Sequence, residues 1–411
     1  MKYWRKLTHK QICDRVFGAL DKNVNFRTQG GIGVPASYLD TNVFYDNASF
    51  LKDAPFLKTL IENPNHIGCH TLGDSEAFFA GTQEIEKELI KLCAEDLLKG
   101  EPGAQDGYVA TGGTEANIQA AWIYRNFFMK EYGAKISEIG ILSSEDSHYS
   151  VPKGANLLNI KWYQAEVDFA TRQLNKQALQ SLLEGAKANG VKYMIVVANM
   201  ATTMFGSVDN LDIYVEALEA AGLSYKIHVD GAFGGFIYPV SNPNNPLSFQ
   251  NKHITSFTMD AHKMAQAPYG TGIFLIRKDY IHYVYTQEAQ YVSGLDITLC
   301  GSRSGANAVS VWMILMTYGP FGWLEKINKL LYRTSWLCEK LDELGITYYR
   351  DPYMNIVTIL SEQVPDEIAH EFGLVPDSHS EQKQWYKVVI MDHVELDALD
   401  NFTQTMARIN K

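Results

Sequence analysis

The chain has 411 residues, of which 46% are hydrophobic and 20% charged, and its formal net charge at pH 7 is −11. This length suits a large domain accompanied by a smaller one. The negative charge argues against nucleic acid or an anionic membrane as a partner. No apolar run approaches the ~20 residues that cross a bilayer, and the N-terminus lacks the apolar core of a signal peptide. We therefore expect a cytoplasmic protein.

The cysteines are scattered and form no C-x-x-C pair. This spacing argues against a disulfide framework and against a zinc site, so we expect no bound metal. They are Cys13, Cys69, Cys93, Cys300 and Cys338.

The first 60 residues are predicted to form an N-terminal segment with one helix near residues 8–20. The Gly/Pro-rich stretch 29–35 that follows is either a linker or backbone packed near a ligand. Residues 82–93 place their apolar side chains on one helical face, which predicts a helix.

Between residues 105 and 280 predicted helices alternate with short apolar runs, which indicates an α/β fold with a mainly parallel sheet covered on both faces. The predicted helices are 115–132, 176–189 and 211–221. The predicted strands are 139–143, 192–198, 227–229, 256–259 and 272–277.

Residues 280–300 lack periodicity and are expected to form a loop. Helices are predicted at 306–318 and 323–344, and a strand-helix-strand-helix pattern fills 355–409. We predict a large domain over 61–300 and a small α+β domain over 301–411.

Lys263 follows the apolar strand 256–259 and stands next to His262. Lysine is the side chain that can hold an aldehyde cofactor as an imine, and partial burial helps it to react as the neutral amine. A surface lysine is the alternative for such a residue taken alone.

Asp230 directly follows the predicted strand 227–229 and precedes the small residues Gly231 and Ala232. A carboxylate there can keep the nitrogen of a pyridine ring protonated, so that the ring accepts electron density. The alternative is an aspartate that caps the next turn.

An anion site is predicted where Gly112, Gly113 and Thr114 open a helix, with Thr114 as the N-cap. Free backbone N–H groups and the helix dipole favour a phosphate at such a position. His262 and Ser256 are expected to donate further hydrogen bonds to it.

Two more residues follow predicted strands. His148 lies in a polar loop, where an imidazole could stack on a flat ring and move protons near neutral pH. Thr203 follows the strand 192–198. The amine, the carboxylate, the anion site and the imidazole together match the needs of pyridoxal phosphate (PLP) at the carboxyl edge of a sheet.

With these motifs the chain resembles the group II PLP-dependent amino-acid decarboxylases of fold type I. The motifs are Thr-Gly-Gly-Thr-Glu-Ala-Asn at 111–117, Asp-Ser-His-Tyr-Ser at 146–150, Val-Asp-Gly-Ala at 229–232, Asp-x-His-Lys at 260–263 and Gly-Ser-Arg-Ser-Gly at 301–305. The short histidine decarboxylases are the most similar members, and archaeal tyrosine decarboxylases are more distant. Ala261 and Gly231 depart from the usual proline and alanine.

The resemblance implies roles for individual residues. Lys263 would carry PLP, Asp230 would pair with the pyridine nitrogen and His148 would stack on the ring. Other expected contacts are Gly113, Thr114 and His262 with the phosphate, and Thr203 and Ala232 with the ring. Tyr291 would protonate the α-carbon, and Ser302 would lie near the cofactor of a partner subunit in a homodimer.

The expected reaction is α-decarboxylation of an L-amino acid, with histidine or another aromatic residue favoured. Transamination, aldol-type cleavage, carbon–sulfur lysis, an acidic or serine substrate, and a non-catalytic binding protein remain alternatives. His66, His70, Thr71, Phe78 and Phe79 are expected near the substrate entrance, and Arg350 is either a carboxylate ligand or a surface residue.

Overall fold

The computed structural model describes residues 1–25, 39–73, 77–285, 296–379 and 382–409. The Gly/Pro-rich stretch 29–35 and Tyr291 lie outside these residues.

A seven-stranded sheet in the order β1-β7-β6-β5-β4-β2-β3 forms the centre of the protein. Neighbouring strands pair in parallel except at β7, which is antiparallel to both β6 and β1. The predicted mainly parallel sheet is therefore confirmed. The strands are β1 (Gln105–Ala110), β2 (Ile139–Ser144), β3 (Lys161–Ala165), β4 (Tyr193–Asn199), β5 (Ser224–Gly231), β6 (Ile254–Asp260) and β7 (Gly272–Arg277).

Helices cover both faces of this sheet, as its uninterrupted apolar strands require. On β4, Ile195 and Val197 belong to one buried cluster, while Met194, Val196 and Ala198 belong to the cluster on the opposite face. The helices up to β7 are α1 (His9–Leu20), α2 (Thr41–Phe44), α3 (Pro55–Glu62), α4 (Ala80–Lys91), α5 (Gly113–Tyr132), α6 (Ser150–Leu157), α7 (Lys176–Ala188), α8 (Leu211–Ala221) and α9 (Tyr238–Ser241).

The sequence analysis missed β1, β3 and α6. β1 contains Gln, Asp and Gly, β3 is an edge strand of five residues, and α6 contains Pro and Gly. Residues of these types give little helix or strand propensity and no clear apolar periodicity. These three segments are ordered by their packing between neighbouring elements, which the local sequence does not show.

A smaller four-stranded antiparallel sheet, in the order β10-β11-β9-β8, lies in the C-terminal part of the chain. The predicted strand-helix-strand-helix pattern is present, and two short strands are added to it. The elements are α10 (Gly305–Glu343), β8 (Tyr348–Tyr349), β9 (Ile356–Leu360), α11 (Asp366–Glu371), β10 (Val375–Pro376), β11 (Trp385–Val389) and α12 (Leu396–Ile409).

Helix α10 contains both of the helices predicted for 306–344. It is kinked at Gly319, whose φ of 62° is outside the helical range, and Pro320 follows. The N-terminal half packs against α4 and the C-terminal half against α12. Because one helix packs against elements of both parts of the chain, the division at residue 300 stays a prediction.

Within the part of the chain that is described, no helix combines the length and the apolar character needed to traverse a lipid bilayer.

We predict that Gly319→Ala lowers the free energy of unfolding by about 2 kcal/mol or more, because positive φ disfavours alanine. The new Cβ would also lie 2.6 Å from the backbone nitrogen of Lys6. Urea denaturation monitored by circular dichroism measures this loss.

Gly322→Ala, in the same helix, is the matched control. Its Cβ would meet only Tyr318 at an ordinary 3.7 Å, so the higher helix propensity of alanine should stabilise the protein by up to about 1 kcal/mol. Equal effects of the two substitutions would contradict this account of the kink.

Candidate active site

Polar residues gather at the carboxyl ends of the parallel strands, where open α/β sheets bind their ligands. A cavity of about 360 Å³ lies there, beside the N-terminus of α5. The predicted residues that line it are Gly113, Thr114, His148, Asp230, Ala232, His262 and Lys263. The structure thus brings together the amine, the carboxylate, the anion site and the imidazole.

Lys263 lies in the turn that follows β6. Its Nζ is 3.3 Å from Oδ2 of Asp260, the last residue of that strand, and one third of the lysine side chain is exposed. Burial, helped by the charge of Asp230 and opposed by that of Lys263, raises the pKa of Asp260 to about 6. Asp260 Oδ1 has no hydrogen-bond partner among the described residues. The amine of Lys263 therefore lies beside a buried carboxylate that accepts a proton readily.

Asp230 ends β5 and is almost completely buried. Its Oδ2 accepts a hydrogen bond of 2.7 Å from Asn117 Nδ2, and its Oδ1 accepts one of 3.0 Å from the backbone nitrogen of Ala232. Donors of this kind stabilise the charged form of a carboxylate. Asp230 can therefore present a negative charge to the cavity.

His148 follows β2 and is half-buried. Burial lowers the pKa of His148, Asp230 opposes this effect and Lys263 adds to it. The backbone N–H of Ser150 donates to His148 Nδ1 at 3.2 Å, so the proton of the neutral ring is on Nε2. His148 thus lines the cavity as a neutral imidazole.

The N-terminus of α5 differs in one respect from the sequence-based prediction. The helix begins at Gly113 with Gly112 as its N-cap, and no side chain caps it. Thr114 therefore lies inside the first turn, and the uncapped N–H groups of this turn remain suited to an anion. A Cβ on Gly113 would lie 2.9 Å from Asp260 Oδ2, so only glycine leaves this site open.

His262 lies on the same side of the cavity. Its Nε2 is 3.5 Å from Asp260 Oδ2, and its buried Nδ1 has no hydrogen-bond partner among the described residues. Burial and, to a lesser extent, Lys263 lower the pKa of His262. An unpartnered ring nitrogen near the start of α5 fits a hydrogen bond to a phosphate.

These groups fit PLP. The start of α5 and His262 suit the phosphate, Asp230 suits the pyridine nitrogen, and Lys263 Nζ suits the aldehyde carbon. Among the described residues, no group of His, Cys, Asp or Glu side chains is arranged to hold a metal ion.

Three predicted residues do not line this cavity. Thr203 is an exposed turn residue after β4. The Ser302 hydroxyl accepts a hydrogen bond of 3.2 Å from Asn65. Ser256 is fully buried in the middle of β6, four residues or roughly 13 Å before Asp260 at the strand's end. This position corrects the expected phosphate contact of Ser256, because a hydroxyl inside the sheet cannot reach the start of α5.

Two residues considered for substrate binding have structural partners instead. His66 is completely buried, with Nδ1 2.6 Å from Glu86, and so does not line an entrance. Arg350 donates to the Ser335 hydroxyl and to the carbonyl of Met354 in the C-terminal part. The expectation for His66 is corrected, because this side chain faces its own packing partner. For Arg350, which was left open between a carboxylate ligand and a surface residue, the structure favours the structural alternative.

Sequence reasoning gave no role to Asn117, His228, Asp260 or Lys387. Asn117 and Asp260 belong to quoted motifs, and His228 shares a face of β5 with Asp230 because strand side chains alternate. Lys387 had no such signal. It lies on β11, donates to the Thr203 carbonyl at 3.1 Å, and its pKa is lowered by burial and by nearby Lys263.

Comparison with known proteins supports the same chemistry. Residues 84–348 match the sequence model of the pyridoxal-dependent decarboxylase conserved domain. The chain is 52% identical over 411 residues to tryptophan decarboxylase of Clostridium sporogenes, with 100% of this chain and 99% of that protein covered. It is 31% identical over 350 residues to L-aspartate decarboxylase of Thermococcus kodakarensis, with 83% and 85% covered.

The fold is similar to that of the Oryza sativa TDC crystal structure with PLP and tryptamine. The TM-score is 0.70 at 13% identity, covering 80% of this chain and 76% of that chain. The family match includes the motifs at 111–117, 146–150, 229–232, 260–263 and 301–305.

We predict that Asp260→Asn makes the cofactor-free protein more stable than the wild type at pH 8, by about 3 kcal/mol. The folded-state pKa of about 6 lies above the ordinary value of 3.8, so the folded wild type loses stability as pH rises through 6. Asparagine does not titrate, and the difference should disappear near pH 4. Urea denaturation at pH 4, 6 and 8 measures it.

The exposed Asp53→Asn is the matched control for the chemical change, and its effect should not depend on pH. A stability difference for Asp260→Asn that is constant from pH 4 to pH 8 would contradict the assigned burial of this carboxylate.

Proposed function

The chain belongs to the pyridoxal-dependent decarboxylase family, and we propose that its preferred substrate is L-tryptophan, which it converts to tryptamine and carbon dioxide. The observation that carries this proposal is the 52% identity to a tryptophan decarboxylase over the whole chain. The enzyme class and the cofactor agree with the resemblance deduced from the motifs, and that resemblance is confirmed.

Bound PLP supplies a protonated pyridine ring that accepts the electron pair left behind when the α-carboxyl group departs. We propose that Lys263 would hold the cofactor covalently through its side-chain amine. Asp230, which accepts hydrogen bonds from Asn117 and Ala232, would pair with the ring nitrogen. Because these donors fix its position, Asp230 would act on the ring without rearranging.

His148, neutral and protonated on Nε2, is proposed to stack on the ring and to exclude water from that face. Gly113, Thr114 and His262 are proposed to bind the phosphate, and Ala232 to contact the ring. Tyr291 stays the proposed proton donor to the α-carbon, and Thr203 stays a candidate ring contact in a closed form of the site.

The charges around the cavity favour a substrate without an acidic side chain. Glu115 and Asp230 line the cavity, and the side-chain carboxylate of an acidic substrate would be repelled by negative charge there. Two aromatic side chains stand at its rim with most of their surface exposed, Tyr149 at 63% and Tyr269 at 87%. Flat rings of this kind suit packing against an indole.

Lys387 is proposed to attract the α-carboxylate of the substrate. Lys387 lies on β11 of the small sheet, and burial, together with the charge of Lys263, lowers its pKa. A cation there would orient the carboxyl group within the cavity.

We also propose a cytoplasmic homodimer in which residues 281–305 cross the interface and Ser302 approaches the partner's cofactor. Exposed apolar side chains in the N-terminal part support an interface. They are Val43, Phe44, Tyr45 and Phe50. Light scattering after size-exclusion chromatography should give twice the chain mass of 46.2 kDa.

We predict that purified enzyme with PLP releases tryptamine and carbon dioxide from tryptophan with kcat/KM at least about tenfold higher than for tyrosine, phenylalanine, histidine, aspartate or glutamate. Amine chromatography and carbon dioxide capture measure both products. Lys263→Ala should abolish activity, and the exposed Lys252→Ala should not. Release of a keto acid, or a preference for aspartate, would refute the proposal.

We predict that Lys387→Met raises KM for tryptophan about tenfold or more with a smaller change in kcat, because a charged hydrogen bond contributes roughly 1.5–3 kcal/mol. Lys387→Arg keeps the charge and should recover most of the affinity. If the arginine variant is as impaired as the methionine variant, the charge at this position does not bind the carboxylate.

A further inference from the structure

A buried hydrogen-bond network connects the cavity with the interior of the sheet. Asn117, in the first turns of α5, donates from Nδ2 to Asp230 Oδ2 at 2.7 Å and to Ser150 Oγ at 2.9 Å. Its Oδ1 is 2.9 Å from Nε2 of His228, which is completely buried. One amide group therefore contacts Asp230, the serine beside His148 and a buried histidine.

The chemistry of the partners allows one orientation of this amide. An ionised carboxylate only accepts hydrogen bonds, so the NH2 group of Asn117 must face Asp230. Oδ1 then faces His228, and Nε2 of His228 must carry a proton. Burial lowers the pKa of His228 to about 4, so the ring is neutral and its Nδ1 is an acceptor.

The far side of His228 fits the same orientation. Ser256 Oγ lies 2.6 Å from His228 Nδ1 and must donate to it. The Ser256 oxygen in turn accepts from the hydroxyl of Tyr124. The hydroxyl of Thr258 lies 3.0 Å from His228 Nε2 and is a second acceptor for that proton. Each donor in the series Tyr124, Ser256, His228 and Asn117 therefore points to the next member, and Asn117 donates to Asp230 at the cavity.

The second branch reaches His148. Because Ser150 Oγ accepts from Asn117, its own proton is free to point to His148 Nδ1, which is 2.9 Å away. The backbone N–H of Ser150 donates to the same nitrogen at 3.2 Å. Nδ1 of His148 thus accepts hydrogen bonds, and its proton is on Nε2.

A flipped amide would place Oδ1 of Asn117 against the carboxylate of Asp230, with two acceptors 2.7 Å apart. It would also offer Ser150 an acceptor, which removes the reason for the Ser150 hydroxyl to point at His148. The donor on His228 opposes this flip, because a flipped NH2 group would meet the Nε2 proton.

We propose that Asn117 is a positioning residue whose single amide orients both Asp230 and His148, and that the buried His228 holds this amide in the required orientation. This inference rests on the proposed roles of Asp230 and His148 around PLP. His228 and Asp230 are two residues apart on β5 and share a face, so one side chain of α5 can bridge them.

Three substitutions of His228 distinguish the roles of its two ring nitrogens. In His228→Gln the side-chain amide nitrogen lies close to the former position of Nε2 and can still donate a hydrogen bond to Asn117. In His228→Asn the shorter side chain places its amide nitrogen near the former position of Nδ1, so the donor to Asn117 is lost. His228→Leu removes both nitrogens. Full-length protein with 15N-labelled histidine is prepared with and without PLP. NMR reports the 15N shift of His148 Nδ1, which depends on the hydrogen bonds that this nitrogen accepts; the signal is identified by its absence in His148→Gln. Fluorescence titration gives the PLP dissociation constant.

We expect His228→Gln to keep the wild-type 15N shift of His148 Nδ1 and to bind PLP within about threefold of the wild type. In His228→Asn and His228→Leu the Ser150 hydroxyl is no longer directed at His148, so the 15N shift of Nδ1 should change although the backbone N–H of Ser150 still donates to it, and PLP should bind at least tenfold more weakly. Identical Nδ1 shifts and PLP affinities in the glutamine and asparagine variants would overturn the proposal.

Tyr124→Phe is the control for a general loss of stability. It removes a hydroxyl from the outer end of the same network and leaves His228 paired with Asn117. A wild-type Nδ1 shift and PLP affinity in this variant support the proposal, whereas changes as large as those of His228→Asn overturn it. The NMR readout in cofactor-free protein needs no substrate. If tryptophan is not decarboxylated, the proposed function fails, but the result for the Nδ1 shift remains valid.

Discussion

The structure depends on the stabilisation of a buried carboxylate at the end of a central strand. Asp230 ends β5, which has neighbours on both sides and helices on both faces, so few water molecules can reach it. A charge in such a place is destabilising unless fixed donors surround it. Asn117 and the backbone of Ala232 provide these donors. The position of α5 across β5 is therefore a requirement of the site as well as of the packing.

Much of the large domain could be predicted from the sequence. The helix Leu211–Ala221 and the strand Gly272–Arg277 have the predicted bounds, because capping residues, glycines and apolar periodicity mark their ends locally. Residues from four of the five motifs line one cavity, since consecutive strand ends of a parallel sheet lie at the same edge. Local pattern and known topology rules were sufficient for these features.

The remaining features depend on contacts between distant parts of the chain. Lys387 reaches Thr203 from another sheet, and no local pattern in β11 indicates this contact. Ser256 was expected to donate to the phosphate, but it lies inside β6, away from the end of that strand. His66 was expected at an entrance, and its burial against Glu86 follows from how α4 packs. Polarity in the sequence shows that a side chain needs a partner, and tertiary packing decides which partner it has.

The two carboxylates of the cavity have different surroundings, which suit them for different tasks. Asp230 receives a hydrogen bond on each oxygen, and these donors favour the charged form that a pyridine nitrogen requires. Asp260 has one oxygen without a partner among the described residues, and burial raises its pKa to about 6. Asp260 lies beside the start of α5, where an arriving phosphate would disfavour its charge further. Proton uptake by Asp260 would then reduce repulsion at the phosphate end, while the hydrogen bonds to Asp230 hold that side chain at the ring end. Environments that separate two acids in this way allow one cavity to bind an anion and a cationic ring at the same time.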